Sequence, residues 1–263
     1  MVYMSFNNSC SHAAICTLLE ARGIKMEAVD LLHSMHAHLL MDDGFHTGAM
    51  VQSDDAYSLG LRAFDLRFVS HEVMNKEQLK DKALELMPCV LPMVLEGRKH
   101  AVILESWDED ELKILNMKRK DDASPEEYRF TEAEFLERIS FPLPLGVIQE
   151  GALESFKVIE ETEGNLHAYG ERLQELQKEL EGKVTPEALK DLRPLLLDLP
   201  DALEGLEKWH DLKEGLLTLQ DQVVAMLKEK KEKAPFSWKE LFDLYAVYCE
   251  RVLEEHRQLL ATL

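Results

Sequence analysis

Apolar residues recur at helical spacing through Ala13, Ala14, Thr17 and Leu18, behind the polar stretch Phe6-Asn7-Asn8-Ser9. The pattern predicts a helix that opens at Cys10, takes Asn8 or Ser9 as its cap, and closes at Gly23 in the left-handed conformation. The run MEAVDLLHSM, residues 26–35, repeats the period and predicts a second amphipathic helix. A polar bend, Asp42-Asp43-Gly44, then leads through Thr47-Gly48 to a third helix over about 49–58, ended by Gly60. A short strand is expected within 61–69 and a helix over 76–86.

From residue 89 the period changes to that of strands. Cys89 to Leu95 is an apolar run broken by Pro92, which suits an edge or bulged strand. A turn at 96–99 joins it to the alternating 100–104. An acidic turn at 108–110 leads to 111–116, giving an antiparallel hairpin. Ser124-Pro125-Glu126-Glu127 and Thr131-Glu132-Ala133-Glu134 read as helix starts, and 141–148 as a closing strand. Helices followed by an antiparallel sheet predict an α+β domain over 1–149. Strand signals stop beyond Gly151. Helical periods then cover 166–180, a segment from Thr185-Pro186-Glu187 to about 197, one from Pro200-Asp201 around 203–209, the long 212–231, and a last helix opened by the capping box Ser237-Trp238-Lys239-Glu240. These predict an all-α domain over 150–263, a bundle packed on the first domain with its Leu and Trp stripes as core.

Composition narrows the class. At 46% hydrophobic and 30% charged, the 263 residues suit a soluble globular protein. No run of about 18 apolar residues is present and no export signal is visible, so a cytoplasmic protein with reduced thiols and no membrane partner is expected. The net charge is −20, and both halves are acidic: 26 acids against 15 bases in residues 1–150, and 24 against 15 beyond. That balance argues against nucleic acid as a partner. Glycine-rich phosphate loops are missing from the sequence. His33, His36, His38 and His46, with Asp42 and Asp43, show no metal-ligand spacing and read as solvated or capping groups. No cofactor and no metal are expected.

The residue types that carry chemistry lie elsewhere. Cys10 falls in the first turn of its helix, where open N–H groups and the dipole favour a thiolate. A nucleophilic thiol needs a base and a group that holds the base in one tautomer. His100 opens an alternating strand, and Asn116 ends the partner strand of the hairpin, so the two are candidates for base and orienter. His12, two positions after Cys10, projects roughly 200° away around the helix and is a poor base. Cys16, Cys89 and Cys249 lie in apolar runs and read as core.

These residues carry a family resemblance. Cys10 through Gly23, then Ser58-Leu59-Gly60-Leu61-Arg62-Ala63, His100-Ala101-Val102-Ile103-Leu104 and Leu112-Lys113-Ile114-Leu115-Asn116 resemble, in that order, the motifs of the papain-like bacteriocin-processing (double-glycine leader) cysteine peptidases, over about residues 4–149. The resemblance implies a Cys10-His100-Asn116 triad acting on a peptide or small amide. Three positions depart from the family: Ser11 replaces a glycine, Asn116-Met117 replaces Asp-Pro, and Met4 stands where the family has its oxyanion-hole glutamine. Relatives of the butirosin-biosynthesis acyltransferase type combine a similar domain with a helical region, which Leu195-Leu196-Leu197-Asp198-Leu199-Pro200-Asp201 resembles. That likeness implies transfer of an acyl-thioester to an amine, with an acyl carrier protein as partner. The departures imply a third reading, a degenerate papain-like adaptor.

Overall fold

The apolar stretch behind Cys10 forms α1 (Cys10–Ala21), eight of whose residues are buried, in a computed structural model that describes residues 1–109 and 111–262. Gly23 (φ +81°) ends the helix in the left-handed region. The Ile24 N–H returns to Leu19 O and the Gly23 N–H to Glu20 O, closing the last carbonyls. The N-terminus is built differently from the expectation. Ser9 flanks the helix but does not cap it; its Oγ donates to Phe6 O (2.7 Å) and accepts the Phe6 N–H (3.3 Å). Asn8 takes a left-handed φ of 61°. The loop is thus tied to itself, and the first-turn N–H groups of α1 receive no side-chain cap.

α1 belongs to a unit made of Met1–Met35 and Gln52–Leu153. It also contains α2 (Ala28–Ser34), α3 (Asp54–Leu61), β1 (Leu66–Val73), α4 (Lys76–Leu86), β2 (Cys89–Leu95), β3 (Arg98–Asp108), β4 (Glu111–Asn116), β5 (Glu127–Thr131), α5 (Glu132–Leu136) and β6 (Leu143–Glu150). The strands form one antiparallel sheet in the order β1-β6-β2-β3-β4-β5. The unit is α+β, helices ahead of an antiparallel sheet, as the hydrophobic pattern predicts. One face of the sheet carries the main core: Leu91, Met93, Val102, Leu104 and Ile114 pack with Leu79 and Ala83 of α4 and Phe135 of α5.

Several elements differ from the pattern. Gly60 does not end α3, which runs through it to Leu61; a Cβ there would stand 2.7 Å from Met35 Cγ and 2.9 Å from Leu31 Cδ1, so glycine serves the approach of α2. The strand expected within 61–69 begins at Leu66. The β2–β3 turn is tighter than 96–99: Glu96 and Gly97 alone span it, both at positive φ (51° and 78°), the conformation of a two-residue hairpin turn. Part of the acidic turn at 108–110 lies outside the described residues. Pro92 is not on an edge strand. β2 lies between β6 and β3, but β6 pairs with it only at Val90–Gly146, and farther along the same side the Val94 N–H goes to Arg138 O (2.8 Å). Pro92 falls between those two bonds, where its missing N–H removes no ladder bond. The helix start read at Ser124-Pro125 opens no helix; Tyr128 and Phe130 alternate into β5 and pair with Ile114 and Leu112. The Thr131 capping box forms as expected and starts α5.

The second unit comprises His36–Val51 and the chain from Glu154 onward. Residues 36–51, which fall within 1–149, therefore pack with the helical region. Its elements are α6 (Lys157–Glu179), β7 (Lys183–Val184), α7 (Leu189–Arg193), α8 (Leu199–Ala202), α9 (His210–Lys228), β8 (Ala234–Pro235) and α10 (Trp238–Leu260). A π turn, Pro194–Asp198, joins α7 to α8. The β7–β8 ladder has no counterpart in the pattern, and the Ser237 side chain caps nothing. Leu173, Leu216, Leu219, Leu241, Tyr248 and Trp209 form buried stripes of this unit. Among the described residues no helix is long and apolar enough to cross a membrane.

Candidate active site

Three backbone elements carry the candidate residues. Cys10 is the first residue of α1, half-buried, and its Sγ accepts the N–H of Ala101 at 3.5 Å. Ala101 lies on β3 one residue beyond the last β3–β4 pair, Val102–Asn116, so its N–H has no strand partner on that side. The thiol fills the place where β4 has ended, next to His100.

His100 is half-buried, and its Nδ1 is buried without a hydrogen-bond partner. Asn116 is 4% exposed. Its Nδ2 donates to Pro125 O (3.1 Å), which turns Oδ1 the other way, and Oδ1 is likewise buried and unpartnered. Strand alternation puts His100, Val102 and Leu104 on one face, and Asn116 stands opposite Val102. His100 and Asn116 are thus diagonal neighbours on a shared face, about 7–8 Å apart between backbones, within reach of long side chains. No hydrogen bond joins Cys10 to His100 or His100 to Asn116 among the described residues.

Neighbours that the sequence did not single out complete the surroundings. Tyr57 of α3 is buried, and its hydroxyl donates to Ser11 Oγ at 2.7 Å. Burial, with a smaller contribution from Asp54, holds that phenol neutral by pushing its pKa up. Arg119 Nη2 donates to Asn7 Oδ1 (2.7 Å), fixing the loop ahead of the thiol. Asp122 lies near His100; hydrogen bonds from Ser124 hold its carboxyl below the usual range, with smaller help from Lys118 and His100. Met4 contributes only backbone here, its N–H donating to Lys118 O (2.9 Å). The signal for Tyr57 and Arg119 is tertiary: neither falls in a motif.

The other sulfur and imidazole groups separate cleanly. Burial pushes the Cys16 and Cys89 thiols up to about 12, and it raises Cys249 as well. His12 is fully buried between the rings of Phe6 and Tyr57, both ring nitrogens unpartnered, with its pKa lowered to about 3 by desolvation. It cannot act as a base toward Cys10 at neutral pH in any productive way, since no polar group reaches it. His46 pairs with Asp42 (3.0 Å) at the surface, and His38 lies 3.7 Å from Glu255. No group of three or more His, Cys, Asp or Glu among the described residues is arranged to hold a metal ion.

No protein-family model matches the chain, and no curated protein does. Among solved structures it is similar to the peptidase domain of Streptococcus ComA, a bi-functional ABC transporter involved in a quorum-sensing pathway. The identity is 13%, the match covers 58% of this chain and 97% of that one, and the TM-score is 0.39. The likeness is one of outline, and the chemistry has to come from the side chains.

Proposed function

We propose that the first unit is a papain-like cysteine acyl-transfer domain acting on a peptide or small amide, with Cys10 as nucleophile, His100 as base and Asn116 as its orienter. The observation that carries the reading is the Sγ of a helix-opening cysteine hydrogen-bonded to the N–H next to His100. The open atoms His100 Nδ1 and Asn116 Oδ1 on one sheet face support it. In the first step the Cys10 proton passes to His100, the S–C bond forms, and the C–N bond breaks as His100 returns the proton to the leaving amine. Water then adds, its proton taken by His100; the S–C bond breaks and the thiol is restored. The uncapped first-turn N–H groups of α1, Cys10 included, offer donors for the oxyanion. Asn7, whose Oδ1 is held by Arg119, keeps an Nδ2 donor that Met4 lacks.

Two other readings share this site. An amine in place of water would make the same steps a transferase, with an acyl group delivered by a carrier protein. The purely backbone role of Met4 favours a non-catalytic binding domain. Alkylation by iodoacetamide at pH 6, read by peptide mass spectrometry, separates chemistry from binding. Selective labelling of Cys10, lost by about tenfold or more in His100→Ala, is expected if the pair forms an activated thiol. Equal labelling of Cys10 in both proteins would discard the enzyme reading and leave the adaptor.

A further inference from the structure

The second unit contains a built cavity unrelated to Cys10. Asp42 organises one wall: its Oδ1 accepts the N–H groups of Gly44 (3.0 Å) and His46 (2.8 Å), and its Oδ2 faces His46 Nδ1 (3.0 Å). Met41 and Thr47 pair across this loop, and Thr47 Oγ1 donates to Pro194 O (2.8 Å). Gly48, at φ +54°, lies so close to the Asp198 carbonyl that any Cβ would overlap it. The loop is thereby clamped onto the π turn Pro194–Asp198, a distortion frequent at functional sites. Between them is a cavity of about 440 Å³, within the range of small-molecule sites. Phe45 and Tyr169, ring centroids 5.4 Å apart, and Pro194 give it apolar walls.

The charges on its lining do not cancel evenly. Asp198, 4% exposed, takes the Arg193 Nε–H on both oxygens (3.2 and 3.1 Å). Asp191 is taken by Arg172 (2.9 and 3.3 Å). Among the described residues, the lining groups left without a protein partner are both Nη groups of Arg193, the ammonium of Lys190 and the carboxylate of Asp43. Asp43 and Lys190 are both exposed and screened alike by solvent, so the Nη edge of Arg193, beside a buried Asp198, is what favours an anion. In a chain of net charge −20, a concave wall with spare guanidinium donors is a selective feature.

We propose that this cavity binds a small organic anion, an aromatic body carrying one carboxylate or phosphate, with the oxyanion on Arg193 and Lys190 and the body against Phe45 and Tyr169. Asp198 acts as a positioning residue: it holds the guanidinium by Nε and leaves the Nη edge to fork onto two oxygens.

Calorimetric titration of the full chain with phenyl phosphate and with phenylacetate tests this. At least one is expected to bind at sub-millimolar Kd, more weakly in high salt. Arg193→Lys keeps a cation for Asp198 but loses the fork, and should weaken binding by about tenfold. Lys190→Ala, at an exposed and unpaired position, should weaken it by about threefold and keeps the test valid if Arg193→Lys fails to fold. Whichever anion binds better identifies the head group. Failure of both to bind, indifference to both substitutions, equal binding of inorganic phosphate, or equal binding of benzylamine would each overturn the proposal.

Discussion

A histidine with no partner at either nitrogen shows most sharply how single residues set the behaviour of this chain. Desolvation lowers the folded-state pKa of His12 to about 3, whereas an exposed histidine titrates near 6.5. Below pH 6.5 the unfolded chain takes up a proton that the native state cannot, so stability contributed by neutral His12 is present above 6.5 and is lost progressively down to about 3. His12→Leu removes that term and the unpaired nitrogens together. Urea unfolding should find the variant more stable than wild type by about 1–3 kcal/mol at pH 7, with the gap widening by about 1.4 kcal/mol per pH unit below 6.5. A constant gap between pH 7 and 4.5 would contradict the assignment. The same residue-scale reading explains what the sequence could reveal of the site. Cys10, His100 and Asn116 announce themselves by residue type and position in a pattern. Tyr57, Arg119 and the spare Nη edge of Arg193 do not, because their meaning depends on what is packed against them.

At the scale of elements, legibility follows locality. α4 was readable to its end residues, and β2 and β4 likewise, because their periods and stop signals lie within their own sequence. β5 was not: Pro125-Glu126-Glu127 is a sound local helix start, overruled by the pairing of Tyr128 and Phe130 with β4. The Ser237 box fails for the same reason, its N–H being drawn to Gln222 of α9 instead. One junction shows how a small polar group fixes two elements. Ser58 Oγ on α3 accepts the Phe68 N–H of β1 (3.0 Å) and donates toward Asp54 O (2.6 Å). Ser58→Ala leaves that buried N–H unmet and is expected to cost about 1–3 kcal/mol, measured as a shift in the denaturation midpoint at unchanged m. A neutral substitution would show that the α3–β1 junction is held by packing alone.

For the molecule as a whole, the boundary between units does not coincide with a single cut in the sequence. The mainly helical character beyond residue 154 is legible in the sequence; the β7–β8 ladder and the membership of 36–51 are not, because their partners are far away in the chain. Leu39, Leu40, Met41, Ala49 and Val51 are buried in the second unit. A fragment of residues 1–153 should therefore carry an exposed apolar loop and elute as aggregate in size-exclusion chromatography. The same fragment with 36–51 replaced by a Gly/Ser linker should elute as a monomer. The segment also sets a clock on synthesis. Met41 and Thr47 leave the ribosome 121 and 147 residues before Thr162 and Pro194, to which they bond. At ordinary elongation rates that interval is on the order of ten seconds, during which a greasy hairpin waits for partners not yet made and is open to chaperones.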